Sequence, residues 1–468
     1  MLPGVSGLKR ALNCFFIGTL LGGLVSCNNY NNSNPYGPQG ISSQRTFPHR
    51  VFVSNPLQAN SFGGGSPAID ILDATKDVIS FFSISLSSLS GSLSDAGMMA
   101  VSPKRDRTLV VSPADGRLAI INNAQQSVTS AVNLGGSSES LFVWTDNATA
   151  FVAVPSAGIP GESPGAVERI DIPSASVTAT IPIPGAHNIV PSPDGSLILV
   201  FSDNSDTVTL LTPSLIGVNG QSDAQVPCSS TQMAACVLTG TFDRPIWAVF
   251  SASGTTAYVM NCGPECGGTG AGACLTFTSC TTVSVLDMTQ TPPAMGAAVP
   301  VPAATVGLLQ GTNLFVAGTP VSAADNTCAG VTTTAPTCGR LTVIDVGSMT
   351  AGTPVAITDG YHNKMEIGAN AQLFIGSRNC FNVDISGGEV RGCLSIVNTS
   401  SGVSASSVIA PPDNGNVTGI APIPNRSVVY VCEGGKLRIY DTTTDKLEHL
   451  TTAPSIAGQA IDVKVVDF

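Results

Sequence analysis

Charge is scarce in this chain. Only 11% of its 468 residues are Asp, Glu, Lys or Arg, and the formal net charge is −11. Lys9 and Arg10 stand in the first ten residues, so the remainder is more acidic still. An acidic body without basic clusters excludes a nucleic-acid binder and a polybasic membrane-surface protein. Histidine is rarer, with four copies at 49, 187, 362 and 449, and tryptophan occurs twice. No Cys-x-x-Cys occurs among the thirteen cysteines, which removes the close ligand pairs of most zinc sites and c-type haem attachment. Apolar periodicity at 3.6 residues is absent throughout, so no amphipathic helix is expected. Beyond the N-terminal segment, no run is long enough to span a bilayer.

That N-terminal segment reads MLPGVSGLKRALNCFFIGTLLGGLVSC. Two basic residues precede an apolar run from Ala11 to Val25, about 15 residues where a membrane helix needs about 20. Basic start, short apolar core and small residues before a cut describe a signal peptide. Leu24 to Cys27, LVSC, resembles the lipobox of bacterial lipoproteins. The resemblance implies cleavage after residue 26, lipidation of Cys27 and anchoring by acyl chains alone. Asn28 after the cysteine implies sorting to the outer membrane. Residues 27–49 are rich in Asn, Ser, Pro and Gly and read as a flexible tether. The fold is expected over 50–468.

Within it a unit recurs. A short apolar strand ends in Asp or Asn and a turn: IDILDAT at Asp73, LAIINNA at Asn122, ERIDIPS at Asp171, SVLDMT at Asp287, TVIDVG at Asp345, SIVNTS at Asn398 and RIYDTT at Asp441. TLLTPS at Thr212 is a degenerate eighth copy. Asp and Asn start turns by bonding the backbone two residues on, so these positions are structural. Each copy is preceded by an apolar strand such as TAFVAVP or VVYVCEG and followed by a weaker one such as VTATIPIPG. Most are also preceded by an earlier strand and turn, as in HNIVPSPDGSLILV. Four short antiparallel strands per repeat predict an all-β fold, a β-propeller of eight four-stranded blades. Seven is the alternative if one repeat is miscounted. The first repeat lacks its first strand, and AIDVKVVDF at the C-terminus is a strand without a repeat. Pairing the two would close the ring and remove a sheet edge.

HNIVPSPDGSLILVFSDNSDTVTLL resembles the YVTN-type propeller repeats of surface-layer and lactonase-like proteins, as does MMAVSPKRDRTLVVSPADGRLAIIN. The resemblance implies the architecture. It leaves activity open, because propellers host binders and enzymes alike.

Cys14 belongs to the signal and Cys27 to the lipid site. In an oxidising compartment the remaining cysteines are expected to crosslink. Proximity in the repeat pairs Cys228 with Cys236, Cys328 with Cys338, and Cys380 with Cys393. In NCGPECGGTGAGACLTFTSC, nesting within a hairpin favours Cys262–Cys280 with Cys266–Cys274, one of three possible pairings. Each bridge closes a loop of about 9 to 19 residues, worth roughly 2 to 3 kcal/mol in the chain-entropy model. Cys432 lies in a core strand and is left as a buried thiol.

Other motifs carry little. GESPG at 161–165 has the spacing of a nucleophile elbow, but Pro follows the Ser and no helix comes next. GTGAG at 268–272 also lacks a following helix, so it is no nucleotide loop. SDNSDT at 202–207 has the length of a plain hairpin turn. His187-Asn188 and His362-Asn363 share a Gly-x-His-Asn register at the start of an innermost strand. All four are expected at the mouth of the axial channel, as polar lining. Neither a metal nor a cofactor is called for, and no catalytic residue is assigned. The expected function is a lipid-anchored, exported scaffold at the bacterial envelope. It would bind an envelope protein or a glycan through the long, stapled loops between second and third strands. The alternative is a lactonase-like or other hydrolase working at the channel mouth.

Overall fold

The computed structural model describes residues 47–59, 65–87, 93–216, 225–274, 277–321, 337–380, 383–385, 389–409, 411, 415–448 and 454–467. The signal segment, Cys27 and most of the tether lie outside these residues, as do Cys328 and His449.

Eight antiparallel sheets form the blades of a β-propeller. Blade three shows the plan. Its strands run Ser140–Val143, Thr149–Val154, Ala166–Asp171 and Ser176–Pro182, paired in chain order from the axis outward. The second strand is buried at all six residues, and the outermost alternates toward solvent. The difference follows from packing. Middle strands are covered on both faces by the neighbouring blades, so they read as continuous apolar runs. Outermost strands have one open edge.

Eight hydrophobic clusters lie between consecutive blades, one per interface. The cluster that joins Tyr430 and Ile439 of blade eight to Val51 and Leu72 of blade one completes the circle. Closure is by the predicted strand exchange. Asp462–Val465 pairs with Arg50–Ala59 and becomes the inner strand of blade one. Arg50 locks the joint: it is ion-paired with Asp467 (Nη2 to Oδ1, 3.0 Å) and donates from Nη1 to the Asn123 carbonyl of blade two at 2.6 Å. Between blades eight and one, Arg426 and the Tyr430 hydroxyl both donate to the buried carboxylate of Asp77.

The recurrent Asp or Asn does what its chemistry implies. Asp73, Asp287, Asp345, Asn398 and Asp441 each accept the backbone N–H two residues on, at 2.8–3.0 Å. Four residues after the turn starts, the chain is left-handed at Asp77, Gln126, Ala175, Met349, Asp445 and Gly402. Blades five and six carry a fifth short strand each, and a small hairpin (Val383–Ile385 with Glu389–Arg391) projects from blade seven.

Candidate functional site

The inner strands begin on the face that carries the loops between second and third strands. Long loops lie there on blades three and five, with the described ends of those on blades six and seven. The structure joins Cys380 to Cys393 in the blade-seven loop and Cys228 to Cys236 on the opposite face. Cys338, in the blade-six loop, is disulfide-bonded, and its expected partner Cys328 lies outside the described residues. Cys432 is a free thiol, wholly buried, and desolvation pushes its pKa far up.

The nested pairing expected in blade five is corrected. Cys262 bonds Cys266, and Cys274 bonds Cys280. The reason is local. Gly263–Cys266 winds into a short 3₁₀ turn that ends at a left-handed Gly267, which brings Cys262 and Cys266 to a Cα separation of 5.5 Å. Gly272–Cys274 then folds back as a strand on Phe277–Asp287, leaving Cys274 and Cys280 5.9 Å apart. Two consecutive tight loops form where one long hairpin was expected.

The two His-Asn pairs also part company. In blade four the inner strand Ala186–Pro191 has a bulge at His187, between Ala186 paired to Ser202 and Asn188 paired to Phe201. In blade seven the bulge falls one residue later, at Asn363, between His362 paired to Ser377 and Lys364 paired to Gly376. A one-residue slip moves side chains to the other face. His187 therefore points into the axial cavity, with its side chain 37% exposed. His362 takes the place of Ala186, is fully buried, and is corrected from channel-mouth residue to core residue. Its Nε2–H donates to the Thr358 carbonyl at 2.8 Å, and burial lowers its pKa to about 4, so it is neutral. Asn188 and Asn363 do line the cavity. Asn188 donates to the Ile246 carbonyl of blade five at 3.1 Å.

The axial cavity has a volume of about 570 Å³. Charged side chains meet in it that are far apart in sequence. His187 Nδ1 lies 3.0 Å from Asp203 Oδ2, and this hydrogen bond holds the imidazole pKa above its ordinary value. Arg378 Nη1, at the end of the second strand of blade seven, lies 3.2 Å from Glu139 Oε2 at the start of blade three. Deeper, Lys464 Nζ lies 3.2 Å from Asp462 Oδ1 on the strand that closes the ring. Asp462 also accepts the Met99 N–H of blade two at 2.8 Å. Lys364 projects from the middle of the blade-seven inner strand, and among the described residues it approaches Met98 Sδ as a donor, 4.0 Å away. Desolvation pulls its pKa down to about 8. Desolvation pushes the Tyr361 phenol at the mouth up to about 12, with Glu265 adding to the effect. Glu265 accepts the Thr319 N–H at 2.9 Å from inside the Cys262–Cys266 loop, and desolvation raises its carboxyl to about 8.

Glu139, Asp203, Arg378, Lys364 and Lys464 were not singled out from sequence. A signal exists for the lysines. HNK and DVKV put a cation on a strand whose alternate residues face either the next blade or the axis, and only the axis can hydrate it. Among the described residues, no group of three or more His, Cys, Asp or Glu is arranged to hold a metal ion, and no helix is long and apolar enough to cross a membrane.

No family model and no curated protein matches the chain. Among solved structures it is similar to a dihydro-heme d1 dehydrogenase, NirN, in complex with DHE. The TM-score is 0.58 at 13% identity, covering 94% of this chain and 81% of that one. A periplasmic gluconolactonase, PpgL, from Pseudomonas aeruginosa aligns at a TM-score of 0.46 and 15% identity, over 89% of this chain and 98% of its own. At these identities the likeness is one of fold alone.

Proposed function

We propose that the protein is an exported, lipid-anchored β-propeller of the bacterial envelope that binds a partner, an envelope protein or a glycan, and does not transform it. The stapled loops and the axial mouth between them form the binding face. The supporting observation is the state of the mouth: among the described residues its two lining carboxylates are engaged, Glu139 by Arg378 and Asp203 by His187. Acid–base chemistry wants a carboxylate or imidazole free to reach substrate, whereas recognition is served by polar groups held in place on a rigid ring. The disulfides favour an oxidising compartment. The LVSC motif favours an anchor at Cys27 and, with Asn28, the outer membrane.

A second reading, a hydrolase at the same mouth, is favoured by one observation. His187 and Asp203 form an imidazole–carboxylate pair open to the cavity, an arrangement able to take up a proton. One experiment separates the two. The soluble 27–468 chain is mixed with envelope proteins, glycans, lactones and esters, while binding and product are followed together by NMR. Saturable binding without product is expected. Product formation that disappears in His187→Ala would overturn the binding reading. Labelled palmitate incorporation, lost in Cys27→Ser, checks the anchor.

A further inference from the structure

Among the described residues, three basic side chains of the axial cavity each have a carboxylate at ion-pair distance. Arg378 is matched by Glu139, His187 by Asp203, and Lys464 by Asp462. Among the described residues, Lys364 has no carboxylate within ion-pair distance, and it approaches the thioether of Met98 instead. Glu366, two residues further along the same strand, makes no ion pair with it, although its charge attracts both Lys364 and Lys464 at longer range. Asp462, Glu139 and Glu366 act on this ammonium only at longer range, so it has no charged acceptor in contact. Next to it, Asn363 lines the same cavity with an Oδ1 that is out of solvent and has no hydrogen-bond partner. One group therefore asks for an anion and its neighbour asks for a donor.

We propose that the axial cavity binds a small hydroxy-carboxylate, such as the uronic acid unit of an acidic glycan, with the carboxylate on Lys364 Nζ and a hydroxyl donating to Asn363 Oδ1. The volume, about 570 Å³, falls in the range of small-molecule sites. The carboxylate would supply the missing charge, and a charge-assisted hydrogen bond to the ammonium is the strong kind. A hydroxyl adjacent to the acid group would reach the next residue on the strand. Tyr361, Asn188 and Ser140, all lining the cavity, offer further polar contacts to a polyol. This inference rests on the binding reading above and names the ligand class for its axial part.

Trp247 lines the cavity and serves as the reporter. The soluble 27–468 chain, with Trp144→Phe to leave a single tryptophan, is titrated with D-glucuronate, D-glucose and inorganic phosphate. Trp247 fluorescence is followed and calorimetry run in parallel. Glucuronate is expected to bind, glucose and phosphate far more weakly. Lys364→Met should weaken glucuronate by about ten-fold or more, and Lys364→Arg should retain most of it. Near-UV circular dichroism shows whether each variant is folded. Affinity should also fall as pH rises through about 8, where Lys364 loses its proton among Asp462, Lys464, Arg378, Glu139 and Glu366. Equal binding by Lys364→Met, or equal binding of glucose, overturns the proposal. So does phosphate binding as tightly as glucuronate. If glucuronate fails to bind while a partner still engages the stapled loops, this inference falls and the binding reading stands. Turnover at His187 would remove the binding reading itself.

Discussion

Arg378 and Glu139 meet at 3.2 Å although they belong to blades seven and three, which face each other across an eight-membered ring. The pair is a bar over the mouth of the axial cavity. Both side chains keep solvent contact, at 29% and 50% exposure, so the pair adds little to stability; exposed ion pairs contribute about 0–1 kcal/mol. Its effect should be on access. Glu139→Gln is expected to leave the melting temperature within about 2 °C, following the small free-energy change. In the single-tryptophan background it should increase acrylamide quenching of Trp247. Unchanged quenching would mean the bar does not gate the cavity.

The two histidines that share a Gly-x-His-Asn motif should titrate in opposite directions. His187 is held above its ordinary pKa by Asp203, so its contribution to stability is full at low pH and is lost as pH rises through the folded value. His362 is depressed to about 4, so the folded state resists its protonation. Its contribution is full above about 6.5 and is lost as pH falls toward 4, amounting to roughly 3 kcal/mol by linkage. NMR titration of the ring protons reads both midpoints. Asp203→Asn should bring His187 back toward its ordinary value, and His362→Gln should flatten the loss of stability between pH 6.5 and 4.

The disulfide order of blade five is open to a direct check. With Cys262–Cys266 and Cys274–Cys280, cleavage in 267–273 separates the chain into two pieces under denaturing, non-reducing conditions. A nested pairing would hold the pieces together. Separation is expected on a non-reducing gel. Removal of the Cys228–Cys236 bridge by a double Ser substitution should cost about 2–3 kcal/mol, the chain-entropy value for so short a loop, as read from denaturant midpoints.

Ring closure depends on the last strand. Truncation at residue 459 removes Asp462–Val465 and leaves Arg50–Ala59 as an open edge next to the bare apolar side chains of Val51 and Val53. The truncated chain is expected to lose its cooperative melt and to associate, as seen by calorimetry and size-exclusion chromatography. Asp467→Asn is the milder test. Arg50 is only 8% exposed and would lose a charged partner, so the melting temperature should fall while the ring stays closed.

The blades were legible in the sequence because each strand's pattern is set by what covers it. TAFVAV has both faces buried, and the turn after ERID needs the Asp that the chain supplies. Closure was legible because AIDVKVVDF had nothing else to pair with. The site was less so. Gly-x-His-Asn occurs twice with the same spacing, and nothing in those letters says that the bulge falls on residue 187 in one strand and 363 in the other. Likewise, the 3₁₀ turn at Gly263–Cys266 chose among cysteine pairings that composition leaves equal.

The sequence by itself determined the all-β class, the eightfold repeat, the strand exchange and the crosslinked loops. All of these follow from local pattern and nearest-neighbour chemistry. Only the tertiary structure decided which polar residues meet at the axis. Glu139 and Arg378 are 239 residues apart, and Met98 and Lys364 are 266 apart. Bending eight blades into a closed ring brings the inner strands of blades one to seven to one small cavity. What the inner strands of blades four and seven present there depends on where a one-residue bulge falls, an energy difference too small and too dependent on its neighbours to be read from one strand alone.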